Sequence, residues 1–308
     1  MTLTEMRYIV ALARERHFGR AAEACHVSQP TLSVALKKVE GQLGAALFER
    51  TANDVRITSL GERIVAQAQR VIEEAVKLEE IAEASGDPMS GQLRVGIIYT
   101  IAPYLLPQLI PALSREAPHM PLFLKEDFTG NLIPALKSGE LDVIVIALPF
   151  SEPGLVAQPV YDEPFRVVVP ASHPWTTREA IEPDELEGQN LLLLGQGNCF
   201  RDQVLESCPR LTGPDALEHS LEGSSLETIR YMVASGAGVA VMPSTAADPL
   251  IDKEPMVKVL RFADNEAGKQ PQRTVGLVWR VTFPRPQAID AMRAALLSCQ
   301  LPGTQRTR

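Results

Sequence analysis

Over residues 2–15 the apolar side chains Met6, Ile9, Val10 and Leu12 recur at helical spacing, and Thr2 and Glu5 stand ahead of them as a capping box, predicting a first helix. A shorter helix follows in Gly19–Cys25, where the pair Ala21-Ala22 lets a neighbouring helix come close, and a break falls at His26-Val27. Ser28 can cap a third helix from Gln29 to Leu43. Pro30 lies in its first turn, where a missing N–H costs nothing, and Gly44 closes it. Two helices joined by a short turn, the second opening with small hydrogen-bonding side chains, form a helix-turn-helix whose second helix fits the major groove of DNA. Ser28, Gln29, Thr31 and Ser33, with Pro30 in the same turn, would then face bases and phosphates. Taken singly, each of these polar residues reads first as a helix cap or an exposed polar position; it is their combination with the pair Ala21-Ala22 that points to DNA. Lys37 and Lys38 are either solvated or on phosphate.

Leu47-Phe48-Glu49-Arg50 leads into a turn-centred hairpin over residues 51–58, a wing, with Arg50 and Arg56 as candidates for phosphate contacts. Thr58 or Ser59 then starts a helix reaching to about Ser85. Its apolar positions Leu60, Ile64, Val71, Ala75, Leu78 and Ile81 or Ala82 step as a self-pairing seam does, and its other faces are strongly charged. The alternative is a helix packed on its own downstream domain. Residues 86–91, rich in Gly and Pro, form a hinge.

Beyond the hinge the pattern changes to alternating strands and helices. Strands are expected at 92–98 and 142–148, interleaved with helical stretches at 102–117 and 129–139, as in βαβ units. A second set comprises a strand at 190–194, a helix from Ser224 and Glu227 (spaced as another capping box) to Ser235, and a strand at 239–242. A strand over 274–281 would run back, and residues 285–298 make a closing helix. The expected class is α/β, with a winged helix-turn-helix over 1–58, a linker helix over 59–87 and a two-subdomain, Rossmann-like region over 88–308, its halves being 91–161 with 268–308, and 162–267. A cleft between two such halves predicts a ligand site where strand ends meet. Thr100 and Thr129 follow the first two strands, so their hydroxyls are expected to face that cleft; helix capping is the other use for each.

Composition narrows the classes. The chain has 308 residues, 45% of them hydrophobic, ample for about two domains with real cores. No apolar run approaches the roughly 18 residues that span a bilayer. The N-terminus lacks a signal peptide's basic start and apolar core, so a cytoplasmic location is expected, where structural disulfides are rare. Net charge is −8, but residues 1–58 carry eight Lys/Arg against six Asp/Glu, so the acid is concentrated downstream. That asymmetry fits a small DNA-facing module joined to an acidic domain. His17, His26, His119, His173 and His219 have no metal-site spacing, and no nucleotide loop or Gly-x-Ser-x-Gly elbow occurs; neither metal nor cofactor is expected.

The stretch 195–208 holds the most suggestive chemistry. Cys199 and Cys208 are nine positions apart, and Cys199 sits in a Gly-rich polar turn followed by Arg201, whose charge could favour a thiolate. In a helix they would lie roughly 13 Å apart, whereas a disulfide needs Cα atoms within about 7 Å. Bridging them would force the segment to refold, a possible switch; buried, inert cysteines are the alternative. Cys25 and Cys299 fall on apolar helix faces and read as structural.

Ala21-Ala22, the run Ser28-Gln29-Pro30-Thr31-Leu32-Ser33, Leu43-Gly44, Leu47-Phe48-Glu49-Arg50 and Thr58–Gly61 together resemble the LysR-type transcriptional regulators, over nearly the whole chain. The resemblance implies a winged helix, a dimerising linker helix and a periplasmic-binding-protein-like effector domain, assembled as dimers into a homotetramer on double-stranded DNA and acting on RNA polymerase. Residues 100–107, the run 197–203 with a second cysteine at 208, residues 225–230 and residues 273–280 look like the hydrogen-peroxide-sensing branch of that family. In that branch Cys199 would be oxidised by peroxide and Cys208 would resolve it, with Thr100, Thr129, Asn198, Asp202 and Arg273 around the peroxide. Arg273 would supply positive charge near Cys199; a surface ion pair is its other use. Many such relatives carry histidine where this chain has Asn198, which cannot titrate. The rival readings are a LysR-type regulator binding a small metabolite in the cleft, and a thiol peroxidase.

Overall fold

The computed structural model describes residues 1–50, 55–83, 87–212, 220–265 and 268–307. It divides into two compact units, Met1–Ser85 and Gly86–Arg308.

The first unit contains α1 (Leu3–Glu15), α2 (Phe18–Ala24), α3 (Gln29–Leu43), the short antiparallel strands β1 (Phe48–Arg50) and β2 (Val55–Ile57), and α4 (Ser59–Glu83). Its boundaries are set locally. The Thr2 hydroxyl accepts the Glu5 N–H (3.2 Å) while the Glu5 carboxylate accepts the Thr2 N–H (2.7 Å), the reciprocal pair of a capping box. Ser28 accepts the Thr31 N–H, and Gly44 ends α3 in the left-handed region at φ 68°. Ile9, Leu12, Leu32, Leu36, Val39 and Leu47 form the core, and buried Ala21 and Ala22 let α2 approach it.

The start of α4 is locked to the wing: the Thr58 hydroxyl accepts the Gly61 N–H (2.9 Å) and donates to the Ala46 carbonyl (3.1 Å). A Cβ on Gly61 would overlap the Leu47 carbonyl oxygen. Along α4, which packs on α1, the expected seam is not a uniform face: Leu60 and Leu78 are exposed, at 40% and 71%, whereas Ile64, Val71 and Ala75 are half-buried. Ala68, Ile72 and Val76, a stripe the seam reading passed over, are buried. The wing turn at 51–54, the hinge residue Gly86, His219 and the side chains of Arg50, Ile81 and Ala82 lie outside the described residues.

The second unit runs β3 (Leu93–Ile98), α5 (Ala102–Glu116), β4 (Leu122–Asp127), α6 (Thr129–Lys137), β5 (Val143–Leu148), β6 (Leu155–Pro170), β7 (Ala180–Ile181) and β8 (Leu191–Leu194). It continues through α7 (Cys199–Ser207), β9 (Leu221–Gly223), α8 (Leu226–Ala234), β10 (Val239–Pro243), α9 (Ser244–Ala247), β11 (Val257–Phe262), β12 (Gln272–Arg280), α10 (Pro286–Ser298) and β13 (Gln305–Arg306). The strand order is β4-β3-β5-β12-β6-β10-β8-β9. β3, β4 and β5 are parallel, as are β10, β8 and β9; β12 runs back between β5 and β6. The 16-residue β6 serves both halves, pairing first with β12 and then with β10 and β11. Two hydrophobic cores result, one built from residues 93–161 and 275–301, the other from residues 165–262. Neither β6 nor β11 stands out in the sequence. Ser225, not Ser224, caps α8, by accepting the Thr228 N–H (3.1 Å).

Candidate functional site

In each half the parallel strands deliver their loops to one edge, so Thr100 after β3 and Thr129 after β4 share an edge, as do the turn before α7 and the cap of α8. Cys199 is the first residue of α7, reached through the turn at Gly195–Asn198, where Gly197 takes φ +89°. Although α7 is anchored in the second half through buried Phe200 and Val204, half-buried Cys199 packs against the core of the first half. The Thr129 hydroxyl donates to its sulfur at 3.8 Å. Thr129 therefore does not cap α6; it reaches across to the thiol.

Thr100 is drawn into a different arrangement. Its hydroxyl accepts from Arg273 Nη1 (2.7 Å) and its carbonyl from Nη2 (3.0 Å), while Arg273 Nε donates to Glu163 (2.6 Å). Both ion-pair side chains have 0% exposure. Arg273 is thus neither a surface ion pair nor an uncompensated charge beside Cys199. Its guanidinium lies 5.2 Å from the Phe200 ring centroid, and Phe200 meets Phe165 edge-on at 5.1 Å. Arg201 corrects a second expectation. Two residues along α7, it faces away from Cys199 and donates to the Leu194 carbonyl (2.9 Å) and Glu222 (3.0 Å).

Asn198 occupies the N-cap position of α7 without making a side-chain cap bond; its Nδ2 reaches the Gly195 carbonyl at 3.5 Å. Asp202 is exposed in the first turn. Gln203, one turn beyond Cys199 and so on the same face, has a buried Oε1 with no partner among the described residues. The i, i+4 spacing from Cys199 is the signal that could have marked it. Glu163 and Thr245, whose N–H and hydroxyl both donate to Glu163, carried no such signal.

Cys208 ends α7 buried in the second core, its thiol pushed up to about 12, first by burial and then by the Asp184 charge. All four cysteines are thiols, not bridged as disulfides. Cys25 and Cys299 occupy the C-cap positions of α2 and α10 rather than helix faces. A second bond joins the two halves: Tyr104 of α5 donates to Glu227 of α8 (3.1 Å), and burial, reinforced by the Glu227 charge, raises the phenol well above its ordinary value. Among the described residues no cluster of His, Cys, Asp and Glu could hold a metal ion, and no helix is long and apolar enough to cross a membrane.

In the first unit, Gln29, Pro30, Thr31 and Lys37 are exposed along α3 and Ser33 is half-buried. The Ser28 hydroxyl is engaged as the cap and lies 2.8 Å from the Thr31 hydroxyl. Lys38 is taken out of contention by its 2.8 Å pairing with Glu5, whose carboxyl is held below its ordinary range first by that bond. Arg56 is exposed on β2.

Residues 3–62 match the bacterial regulatory helix-turn-helix of the lysR family, and residues 86–299 match the LysR substrate-binding domain. The chain is 39% identical over 300 residues to the DNA-binding transcriptional dual regulator OxyR of Escherichia coli K12, covering 96% of each. The chain belongs to the LysR family, in its OxyR branch. Solved structures of the branch agree in fold. A full-length cysteine-to-aspartate variant of Pseudomonas aeruginosa OxyR is 51% identical, with 100% of this chain and 98% of that one covered and a TM-score of 0.71. A hydrogen-peroxide-bound mutant of Corynebacterium glutamicum OxyR is 33% identical, with 96% and 91% covered and a TM-score of 0.63. The LysR assignment makes the chain a helix-turn-helix transcriptional regulator, and transcriptional regulators are not an enzyme class.

Proposed function

We propose that this LysR-family regulator reads hydrogen peroxide through Cys199, with Cys208 as the resolving thiol, and converts the oxidation into a change in DNA binding at antioxidant genes. The observation that carries the reading is the Thr129 hydroxyl on the Cys199 sulfur, at the seam of the two halves, with Cys208 sealed in one half's core at the other end of α7.

The chemistry balances on these groups. The Cys199 thiolate attacks one peroxide oxygen; the S–O bond forms as the O–O bond breaks, and the departing hydroxide takes a proton to leave as water. The Cys208 thiol then condenses with the sulfenic acid, forming S–S and releasing a second water. Thr129, Thr100 and Asn198 supply hydroxyl and amide groups to orient the peroxide and protonate the leaving oxygen. Arg273 fixes Thr100, and Asp202 borders the site. Nine helical steps place the Cα atoms of the two cysteines roughly 13 Å apart, about twice the Cα separation a disulfide spans, so closure must unwind α7.

In this reading the protein works in the cytoplasm as a homodimer assembling into a homotetramer, paired through the exposed face of α4 and signalling to RNA polymerase. Ser28, Gln29, Pro30, Thr31, Ser33, Lys37, Arg50 and Arg56 contact double-stranded DNA. Residues 1–58, 59–87 and 88–308 act as DNA-binding, linker and sensing parts.

Thiol-trapped peptide mapping after about one equivalent of peroxide tests the assignment, at a level that leaves ordinary thiols intact. A Cys199–Cys208 disulfide forming within seconds is expected. Unmodified Cys199 would contradict the reading and favour a metabolite in the cleft.

A further inference from the structure

We propose that Glu163 is a positioning residue for the thiol chemistry, acting through Arg273 on the Thr100 hydroxyl. The inference rests on the peroxide reading of Cys199. Four elements meet at this point: Glu163 comes from β6, Arg273 from β12, Thr245 from α9 and Thr100 from the loop after β3. The Glu163–Arg273 pair is fully buried. Burying two charges costs desolvation that their attraction often fails to return, so such a pair is weak evidence of stabilisation. What it accomplishes here is geometric and electrostatic.

Arg273 is a permanent donor, and its Nη1 donates into the Thr100 oxygen at 2.7 Å. A hydroxyl oxygen that accepts from a guanidinium keeps its own proton for another partner. Thr100 is thereby set as a donor, the role a departing peroxide oxygen needs. Glu163 holds the guanidinium in that pose through Nε (2.6 Å) and is itself held by the Thr245 N–H (3.3 Å) and hydroxyl. It also cancels the charge of Arg273, which lies over the ring of Phe200, the neighbour of Cys199. Without Glu163 the guanidinium would be a buried, uncompensated cation that turns to another acceptor and releases Thr100.

The test compares the rates of Cys199 with hydrogen peroxide and with iodoacetamide, which needs no donor for a leaving oxygen, in the full-length protein. Glu163→Gln keeps size but removes charge; Thr245→Val removes one support of Glu163 and leaves the ion pair in place. Both are expected to slow the peroxide reaction, Glu163→Gln by about tenfold, the worth of one hydrogen bond, while alkylation changes by less than about twofold. Glu163→Gln added to Thr100→Val should slow the reaction no further than Thr100→Val alone. Equal slowing with both reagents, an unchanged peroxide rate in both variants, or effects that multiply in the double variant would overturn the inference. If Glu163→Gln does not fold, Thr245→Val carries the same comparison and the same outcomes. A wild-type protein whose Cys199 ignores peroxide would instead overturn the functional reading, and this inference with it.

Discussion

Thr129 and Asn198 are the two residues beside Cys199 whose chemistry differs most in kind. The Thr129 hydroxyl already donates to the sulfur, so Thr129→Val should slow peroxide oxidation of Cys199 by about tenfold, the worth of one hydrogen bond. Stopped-flow oxidation at low peroxide measures it; an unchanged rate would remove Thr129 from the site. Asn198 has no titrating group, whereas an imidazole there ordinarily titrates near 6.5. Asn198→His is therefore expected to introduce an inflection in the rate of Cys199 oxidation between pH 5 and 8 that the native chain lacks; superimposable profiles would refute that. Residue roles were legible in the sequence where the cause is local. Thr2, Ser28 and Gly44 cap helices through neighbours within a turn or so, and each is where the pattern places it. Glu163 was invisible because its partners lie 82 and 110 positions away. Arg201 misled for the same reason: its destination, Glu222, belongs to another strand.

At the scale of elements, α7 is the part that the proposed disulfide has to unwind, and its anchors set the cost of doing so. Phe200 and Val204 bury it in the second core, each worth roughly 1.5–3 kcal/mol of transfer energy. Phe200→Ala weakens the reduced helix by roughly 3–5 kcal/mol, which for a two-electron couple shifts the disulfide potential roughly 60–110 mV more negative if the oxidised state leaves Phe200 exposed. Trapped-thiol titration against glutathione buffers reads this shift; a potential unmoved or more positive would mean that α7 does not release Phe200. The Cys208 thiol adds a pH term. Its folded pKa of about 12 lies above the ordinary 9.0, so its contribution to keeping α7 folded is complete below pH 9 and is lost as pH rises through 12. Alkylation of Cys208 in the reduced protein should accelerate above pH 9 through opening of α7. In the other unit, Gly61→Ala forces a Cβ into the Leu47 carbonyl, and should lower the thermal midpoint of the DNA-binding unit and weaken promoter binding together. Elements with a clean period were readable. β6 was not, because Pro159 and Pro164 interrupt it and its two ends serve different sheets.

For the molecule as a whole, the two halves of the sensing unit share β6, touch at Cys199 and are tied again by Tyr104 and Glu227. A disulfide between Cys199 and Cys208 must pull a residue seated against one core toward a residue sealed in the other, so oxidation reaches both halves rather than one loop. The division into a helical module and an α/β sensing region was legible from the change of hydrophobic period and from the charge asymmetry. The packing of α4 was only half legible, since a stripe of threes and fours does not say which neighbour covers it. The measurement that tests the central claim most directly is a footprint on promoter DNA of the reduced protein, the peroxide-oxidised protein and peroxide-treated Cys199→Ser. Oxidation is expected to change the protected region, and Cys199→Ser to keep the reduced footprint under peroxide. Identical footprints before and after formation of the Cys199–Cys208 disulfide would contradict the claim.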